Sequence, residues 1–189
     1  MKDSSSVSLK GQFLIAMPRL MDPNFYKTVT CLTEHSHEGA LGIIINRIFP
    51  SLTLKDLFDE LKIGCVPKTI SIPVHIGGPV HTNQLFVLHG PPFEWEGCHR
   101  ISSSLALSNT RDVFEAIAMD QGPESFIVSL GCAGWAPGQL ESEIKENSWL
   151  TSNVMDDIIF NAPIESRWDE TVKKMGIDPA FLTDSAGYA

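Results

Sequence analysis

The stretch KTVTCLTEHSHEGALGIIIN, residues 27–46, contains two runs with the composition of β-strands on either side of a short turn. In the first run, 27–34, side chains alternate between two faces, and Val29 and Cys31 share one of them. The second run, 40–46, is rich in β-branched residues, which favour strands. Because the turn HSHEG between the two runs contains a glycine, the stretch predicts an antiparallel β-hairpin.

Segments that resemble strands continue on both sides of this hairpin. Short apolar runs predict strands at 11–17, 71–80, 84–90 and 124–131, with a weaker strand near 98–101. Helical spacing of apolar residues predicts helices at 51–64, 108–122 and 165–176 and another after residue 138, while 155–161 is ambiguous between helix and strand. Thr53 or Ser51 is expected to cap the first helix, and Gly64 to end it. Strands interleaved with about four helices, together with the hairpin, predict an α+β fold rather than a doubly wound parallel sheet.

Length and composition indicate an ordinary globular protein. The 189 residues suit one domain. Residues 1–8 are polar and serine-rich and are predicted to form a disordered tail, which leaves 9–189 as a single domain. The N-terminus lacks a secretory signal, and the apolar run FLIAM is far shorter than the ~20 residues of a membrane helix, so we expect a cytoplasmic protein that does not bind membranes.

The charge and the cysteines argue against several classes of function. Fourteen basic and 23 acidic residues give a net charge of −9, which disfavours direct binding to nucleic acid. The four cysteines form no CxxC pair, so the sequence predicts free thiols and supports no zinc site. No motif indicates a cofactor, a metal or a set of catalytic residues.

The stretch SLGCAGWAPGQLESEIKENSWL, residues 129–150, is the first candidate site. It predicts a strand that ends at Gly131, a glycine-rich loop over 131–139, and then a helix whose N-terminus could bind an anion. Cys132 could be a nucleophile there, alone or paired with His89 if the fold brings them together. Gly134, Trp135 and Gln139 complete this candidate set. The loop could equally be a structural corner packed around Trp135.

Two arginines at the ends of apolar strands are further candidates for binding a ligand or partner. Arg19 follows FLIAMP, and Arg47 ends the run LGIIINR. A guanidinium group in such a place can bind a carboxylate or phosphate ligand, or it can tie down a loop carbonyl. The pair His35 and His37 is interpreted as surface charge rather than a chelate, since zinc needs three or four converging ligands.

Five blocks in order, GQFLIAMPRLMDPNFYKTVTCLTEH, GALGIIINR, HIGGPV, LFVLHG and GCAGWAPGQLESEIKENSWL, resemble the AlgH/YqgE family of bacterial proteins. The resemblance extends from about residue 9 to the C-terminus. It implies a cytosolic protein with one α+β domain, whose mixed, largely antiparallel sheet curls into an incomplete barrel with helices around it. It brings no established activity and no catalytic residues. The chain departs from the family's pattern at Cys132, where an aromatic residue is common, and at Tyr188, where histidine is frequent.

Three functions remain open from the sequence. The acidic composition and the transcriptional-regulator label of some family members favour a non-enzymatic regulatory or binding domain, which acts through a protein or small-ligand partner and affects transcription indirectly. The alternative is an enzyme or binder of a small anionic metabolite that uses the 131–139 loop. Direct DNA binding is the least favoured.

Overall fold

The computed structural model describes residues 8–182, with ten strands and five α-helices. The strands are β1 (Gln12–Ala16), β2 (Val29–Ser36), β3 (Gly39–Ile44), β4 (Ile48–Thr53), β5 (Pro73–Ile76), β6 (Val80–His89), β7 (His99–Arg100), β8 (Ala106–Ser108), β9 (Phe126–Trp135) and β10 (Trp149–Asn153). The helices are α1 (Leu54–Leu61), α2 (Arg111–Ala118), α3 (Gln139–Lys145), α4 (Asp156–Phe160) and α5 (Arg167–Lys174). Short 3-10 turns cover Pro67–Thr69, Ile164–Ser166 and Pro179–Phe181. Tyr188 and residues 1–7 of the predicted tail lie outside the described residues.

The strands form one curled sheet in the order β10-β1-β2-β3-β9-β6-β8-β7, with β4 and β5 attached beside β9. All neighbouring pairs are antiparallel except β5 and β9, which are parallel. The predicted hairpin is confirmed as β2 and β3, where Thr30 lies opposite Ile44 and Ser36 opposite Gly39. The α+β class and the largely antiparallel, incompletely closed sheet are therefore confirmed.

Alternation along β9 divides the core between two faces of the sheet. Val128 faces a cluster that buries α1 and α2, including Phe58 and Phe114. Ile127 faces the opposite cluster, which buries Trp168 of α5. The central strand thus has helices packed on both faces, and the residues that hold it in place come from both halves of the chain.

The first predicted helix is shorter than its sequence pattern indicates. Residues 48–53 form β4, which pairs with β5, so α1 begins at Leu54. The cap at Thr53 is confirmed, because its backbone N–H donates to the Asp56 carboxylate at 2.8 Å. The predicted end at Gly64 is wrong: Lys62 takes the left-handed conformation, with φ 56°, and terminates the helix there.

Two further differences concern short elements. β8 has three residues and was not predicted, because so short a strand leaves no periodic pattern. The ambiguous segment 155–161 contains α4, which makes five described α-helices instead of about four. Among residues 8–182, none of the helices has the length and apolar character required to cross a membrane.

Candidate functional site

The glycine-rich stretch 131–139 is mostly strand rather than loop. β9 continues through Gly131 and Gly134 to Trp135, and a short turn then leads into α3. Gly134 has ordinary extended backbone and lies opposite Leu41 of β3. The prediction that the strand ends at Gly131 is therefore wrong, because pairing with β3 extends it by four residues.

The polar side chains of this stretch bind one another. Trp135 and Trp149 both donate their indole N–H to one oxygen of Glu143, at 2.9 and 2.8 Å. Gln139 donates to the other oxygen at 2.8 Å and accepts from the backbone N–H of Ala136 at 2.9 Å. Because α3 has seven residues and its first turn already contains an acidic side chain, this region shows no anion site. Trp135 and Gln139 stabilise the turn.

The two candidate arginines differ in their contacts. Arg47 donates to the carbonyl oxygens of Pro23 and Tyr26, at 2.6 and 2.7 Å, and so fastens the segment between β1 and β2. Phe25 of that segment packs against Trp135 with ring centroids 5.9 Å apart. Arg19 is exposed. Of the two uses that the sequence left open for Arg47, the structure shows the tie to loop carbonyls.

Cys132 is not placed as a nucleophile. The residue is 3% exposed, and burial, with a smaller contribution from Glu34, raises the pKa of its thiol to about 11. His89 lies opposite Phe126, six positions along β9 from Cys132, a separation of about 20 Å at the rise of a strand. His89 instead contacts the Ser108 hydroxyl at 2.9 Å. The structure does not bring the two residues together, so the suggested dyad is excluded.

Two further histidines are held inside the fold. His35 Nδ1 accepts from the backbone N–H of Leu9 at 2.9 Å, so its Nε2–H donates to Glu141 at 3.0 Å. His75 is 3% exposed and accepts from the buried Arg167 at 3.3 Å. Burial, followed by the charge of Arg167, lowers the pKa of His75 to about 4, so this ring stays neutral. The His35 side chain is 3% exposed, so the interpretation of His35 as surface charge is wrong.

A bulge in β6 forms the most distinctive irregularity of the sheet. Val80 lies opposite Cys132 and Leu85 opposite Leu130, so residues 81–84 of β6 face the single residue Gly131. Gly131 has φ 73°, and a β-carbon there would lie 2.6 Å from a backbone oxygen of Gly78. The bulge exposes the run HTNQ. Bulges are over-represented at sheet edges, at the rims of barrels and next to active sites.

A cavity of 260 Å³ lies beside this bulge, and we call it the bulge cavity. Its apolar lining residues are Leu41, Ile43, Phe86, Leu107 and Cys132, its polar lining residues are Thr33, Glu34, His81, Gln84, His99 and Asn109, and Gly97 also lines it. His81 has φ 49°, a left-handed conformation that is uncommon for a residue other than glycine. Four other described residues, Lys27, Lys62, Asp120 and Asn147, share this conformation, so it describes the backbone of the bulge and does not by itself mark a site. An apolar floor with several polar groups is typical of small-molecule sites.

Little fixed charge faces the bulge cavity. Of the described residues that line it, Glu34 is the sole Asp, Glu, Lys or Arg. Its carboxylate lies 3.9 Å from His99 Nε2, which in turn contacts Lys10 Nζ at 3.1 Å. Lys10 belongs to the wall of an adjoining cavity of 430 Å³. The bulge cavity therefore offers hydrogen-bonding groups rather than a cationic surface.

Of the residues that the sequence singled out, Cys132 alone lines the bulge cavity, while His35 and Trp135 line the adjoining cavity of 430 Å³. The polar residues of the bulge cavity were missed. The sequence does contain a signal for His81 and Gln84. The run HTNQ places four polar residues in a row between Val80 and Leu85, where strand alternation would place one or two apolar residues.

Within residues 8–182, no group of three or more His, Cys, Asp or Glu side chains is arranged to hold a metal ion. The four cysteines are free thiols, two of them buried.

Comparison with known proteins identifies the family. The sequence model described as AlgH-like matches residues 13–180. The chain belongs to the AlgH-like family. A UPF0301 protein of Desulforapulum autotrophicum is 52% identical over 189 residues, with both chains fully covered. A UPF0301 protein of Paracoccus denitrificans is 45% identical over 190 residues, covering 99% of this chain and 100% of the relative.

Solved structures show the same AlgH-like fold. The solution structure of AlgH from Pseudomonas aeruginosa matches with a TM-score of 0.78 at 42% identity, and each chain is fully covered. A crystal structure from Corynebacterium diphtheriae matches with a TM-score of 0.73, covering 96% of this chain and 92% of that one. Its identity is 18%, so this second match concerns the fold alone.

Proposed function

We propose that this AlgH-like protein is a non-enzymatic, cytoplasmic binding domain whose bulge cavity takes a small uncharged molecule. Any effect on transcription is then indirect, through the ligand or a protein that responds to it. The observation that carries the proposal is the combination of an apolar floor with hydrogen-bonding side chains in a cavity beside the β6 bulge.

The charges around the bulge cavity support an uncharged ligand. Glu34 would repel a phosphate or carboxylate placed beside it, and the net charge of −9 adds to this repulsion at longer range. The alternative of an anionic metabolite bound over 131–139 has less support, because Glu143 and Gln139 already occupy the polar groups there.

The state of the thiol supports a binding role over catalysis. Cys132 would have to ionise to attack a ligand, but its raised pKa keeps it protonated at neutral pH. The neutral thiol contributes apolar surface to the floor of the bulge cavity.

The test is a screen of uncharged fragments by ligand-observed NMR against three proteins. Leu107→Trp places an indole in the bulge cavity, whereas Leu150→Trp changes another half-buried leucine, on β10, away from it. We expect fragments that bind the wild type and Leu150→Trp but lose binding to Leu107→Trp. Fragments that bind all three proteins alike, or no binding at millimolar fragment concentration, would contradict the proposal.

A further inference from the structure

We propose that Gln84 and Asn109 act as a carboxamide pair that recognises the hydrogen-bonding edge of a flat, uncharged heterocycle in the bulge cavity. The ligand class is that of a free nucleobase, with a cyclic amide or amidine edge. This inference rests on the proposed function and specifies the chemistry of its ligand.

The two carboxamides converge from different parts of the chain. Gln84 belongs to the β6 bulge, and Asn109 follows β8 directly. Both line the bulge cavity and also an adjoining cavity of 330 Å³. Both residues are exposed, so their donors and acceptors are accessible to a ligand.

A carboxamide presents an acceptor oxygen beside a donor N–H₂. This arrangement matches an edge on which a donor and an acceptor are adjacent, as on adenine, where Asn and Gln form paired hydrogen bonds. Two carboxamides at one cavity can therefore recognise a heterocycle that a single hydroxyl or lysine could not orient.

The remaining wall fits the faces and size of such a ring. Phe86 and Leu107 provide apolar surface, and aromatic side chains form favourable contacts with bases because every base has a π-face. At 260 Å³ the bulge cavity lies below the range of about 300–1,000 Å³ that is usual for drug-sized ligands. A base fits this size better than a nucleotide, and the sole Asp, Glu, Lys or Arg among the described residues that line the bulge cavity is the acidic Glu34.

The experiment is a titration of the ¹⁵N-labelled protein with adenine, uracil, adenosine monophosphate and indole. Indole matches a purine in size and flatness but lacks the acceptor edge. We expect adenine or uracil to bind at least about fivefold more tightly than indole, in line with one paired hydrogen-bond contact. The monophosphate is expected to bind more weakly than adenine.

Two variants from different elements test the pair itself. Asn109→Asp and Gln84→Glu each replace the donor N–H₂ by an acceptor, so each should weaken adenine binding at least about fivefold. Asn83→Asp is the matched control: it lies on the same bulge but lines the adjoining cavity and not the bulge cavity. Spectral dispersion and melting temperature verify that each variant is folded.

The outcomes separate this inference from the proposed function. If uncharged fragments bind while neither base does, or if indole binds as tightly as adenine, the carboxamide inference is overturned and the binding domain stands. Equal effects of Asn109→Asp and Asn83→Asp would also overturn it. If no fragment and no base binds, both proposals fail.

Discussion

Glu143 is the residue on which the structure around Trp135 depends. One of its oxygens accepts from two indoles and the other from Gln139. Phe25 packs against both Trp135 and Trp149, so the segment between β1 and β2 rests on the same cluster. A single carboxylate therefore connects α3, β9 and β10, and the segment between β1 and β2 packs on the two indoles that it binds.

Glu143→Ala is expected to lower the free energy of unfolding by about 2–4 kcal/mol, because it leaves two largely buried indole N–H groups without an acceptor. Urea denaturation followed by tryptophan fluorescence measures this loss. The control Glu146→Ala removes an exposed carboxylate of the same helix end and should change stability by less than about 0.5 kcal/mol. If Glu143→Ala lowered the free energy of unfolding no more than Glu146→Ala does, the indole contacts would add no net stability.

The Cys132 thiol gives a prediction about pH. Its folded-state pKa of about 11 lies above the ordinary value of 9.0, so its contribution to stability is complete below pH 9 and is lost as the pH rises through about 11. Alkylation by iodoacetamide at pH 8 should be much slower at Cys132 than in the urea-unfolded chain, as followed by peptide mass spectrometry. Rapid modification of the folded protein at pH 8 would contradict the burial and the raised pKa.

Sequence reasoning could name Arg47 as important but could not decide its role. An arginine at a strand end can bind an anionic ligand or hydrogen-bond to loop carbonyls. Which of the two occurs depends on whether carbonyl oxygens of another segment lie within hydrogen-bonding distance of the guanidinium group. Pro23 and Tyr26 are more than twenty residues away along the chain, and the pairing of β2 with β3 is what brings them to Arg47.

At the scale of elements, β9 depends on close backbone approach at particular glycines. A β-carbon on Gly77 would lie 2.1 Å from the backbone oxygen of Gly131, whereas one on Gly134 would lie 3.3 Å from a methyl group of Val80. A backbone oxygen inside a sheet cannot move away, but a methyl group at the rim can.

Gly77→Ala is therefore expected to destabilise the protein by about 3 kcal/mol or more, and Gly134→Ala to change stability by less than about 1 kcal/mol. Thermal unfolding of the two variants beside the wild type measures the difference. A larger loss for Gly134→Ala than for Gly77→Ala would mean that Gly134 has the turn conformation that the sequence pattern indicated.

The elements that the sequence predicts well are those determined by local patterns. The β2–β3 hairpin combines two strand-like runs and a short turn, so all of its information lies within 27–46. The second half of β9 could not be predicted in this way. Its glycines weaken intrinsic strand preference, and the strand forms because β3 and β6 pair with it from distant parts of the sequence.

At the scale of the whole molecule, the acidic charge leads to a prediction about DNA. With a net charge of −9, we expect no retardation of double-stranded DNA in a gel shift at low salt. Retardation that weakens steeply as salt is raised would contradict the indirect action proposed above.

The bulge cavity could not be predicted from the sequence, because it depends on the arrangement of the whole sheet. Glu34, His81, His99 and Asn109 come from four segments, and none belongs to a spacing motif. Their convergence requires the order of strands in the sheet, which places β2, β6, β7 and β8 around one cavity. The fold class followed from local periodicity, but the candidate site followed from the topology.

Chemical-shift mapping with an uncharged fragment that binds tests the central claim most directly. We predict that the largest amide shifts occur at 81–84, 97–99 and 107–109 and at Glu34, all around the bulge cavity. Shifts concentrated at 136–145, along α3 and the turn before it, would contradict the account.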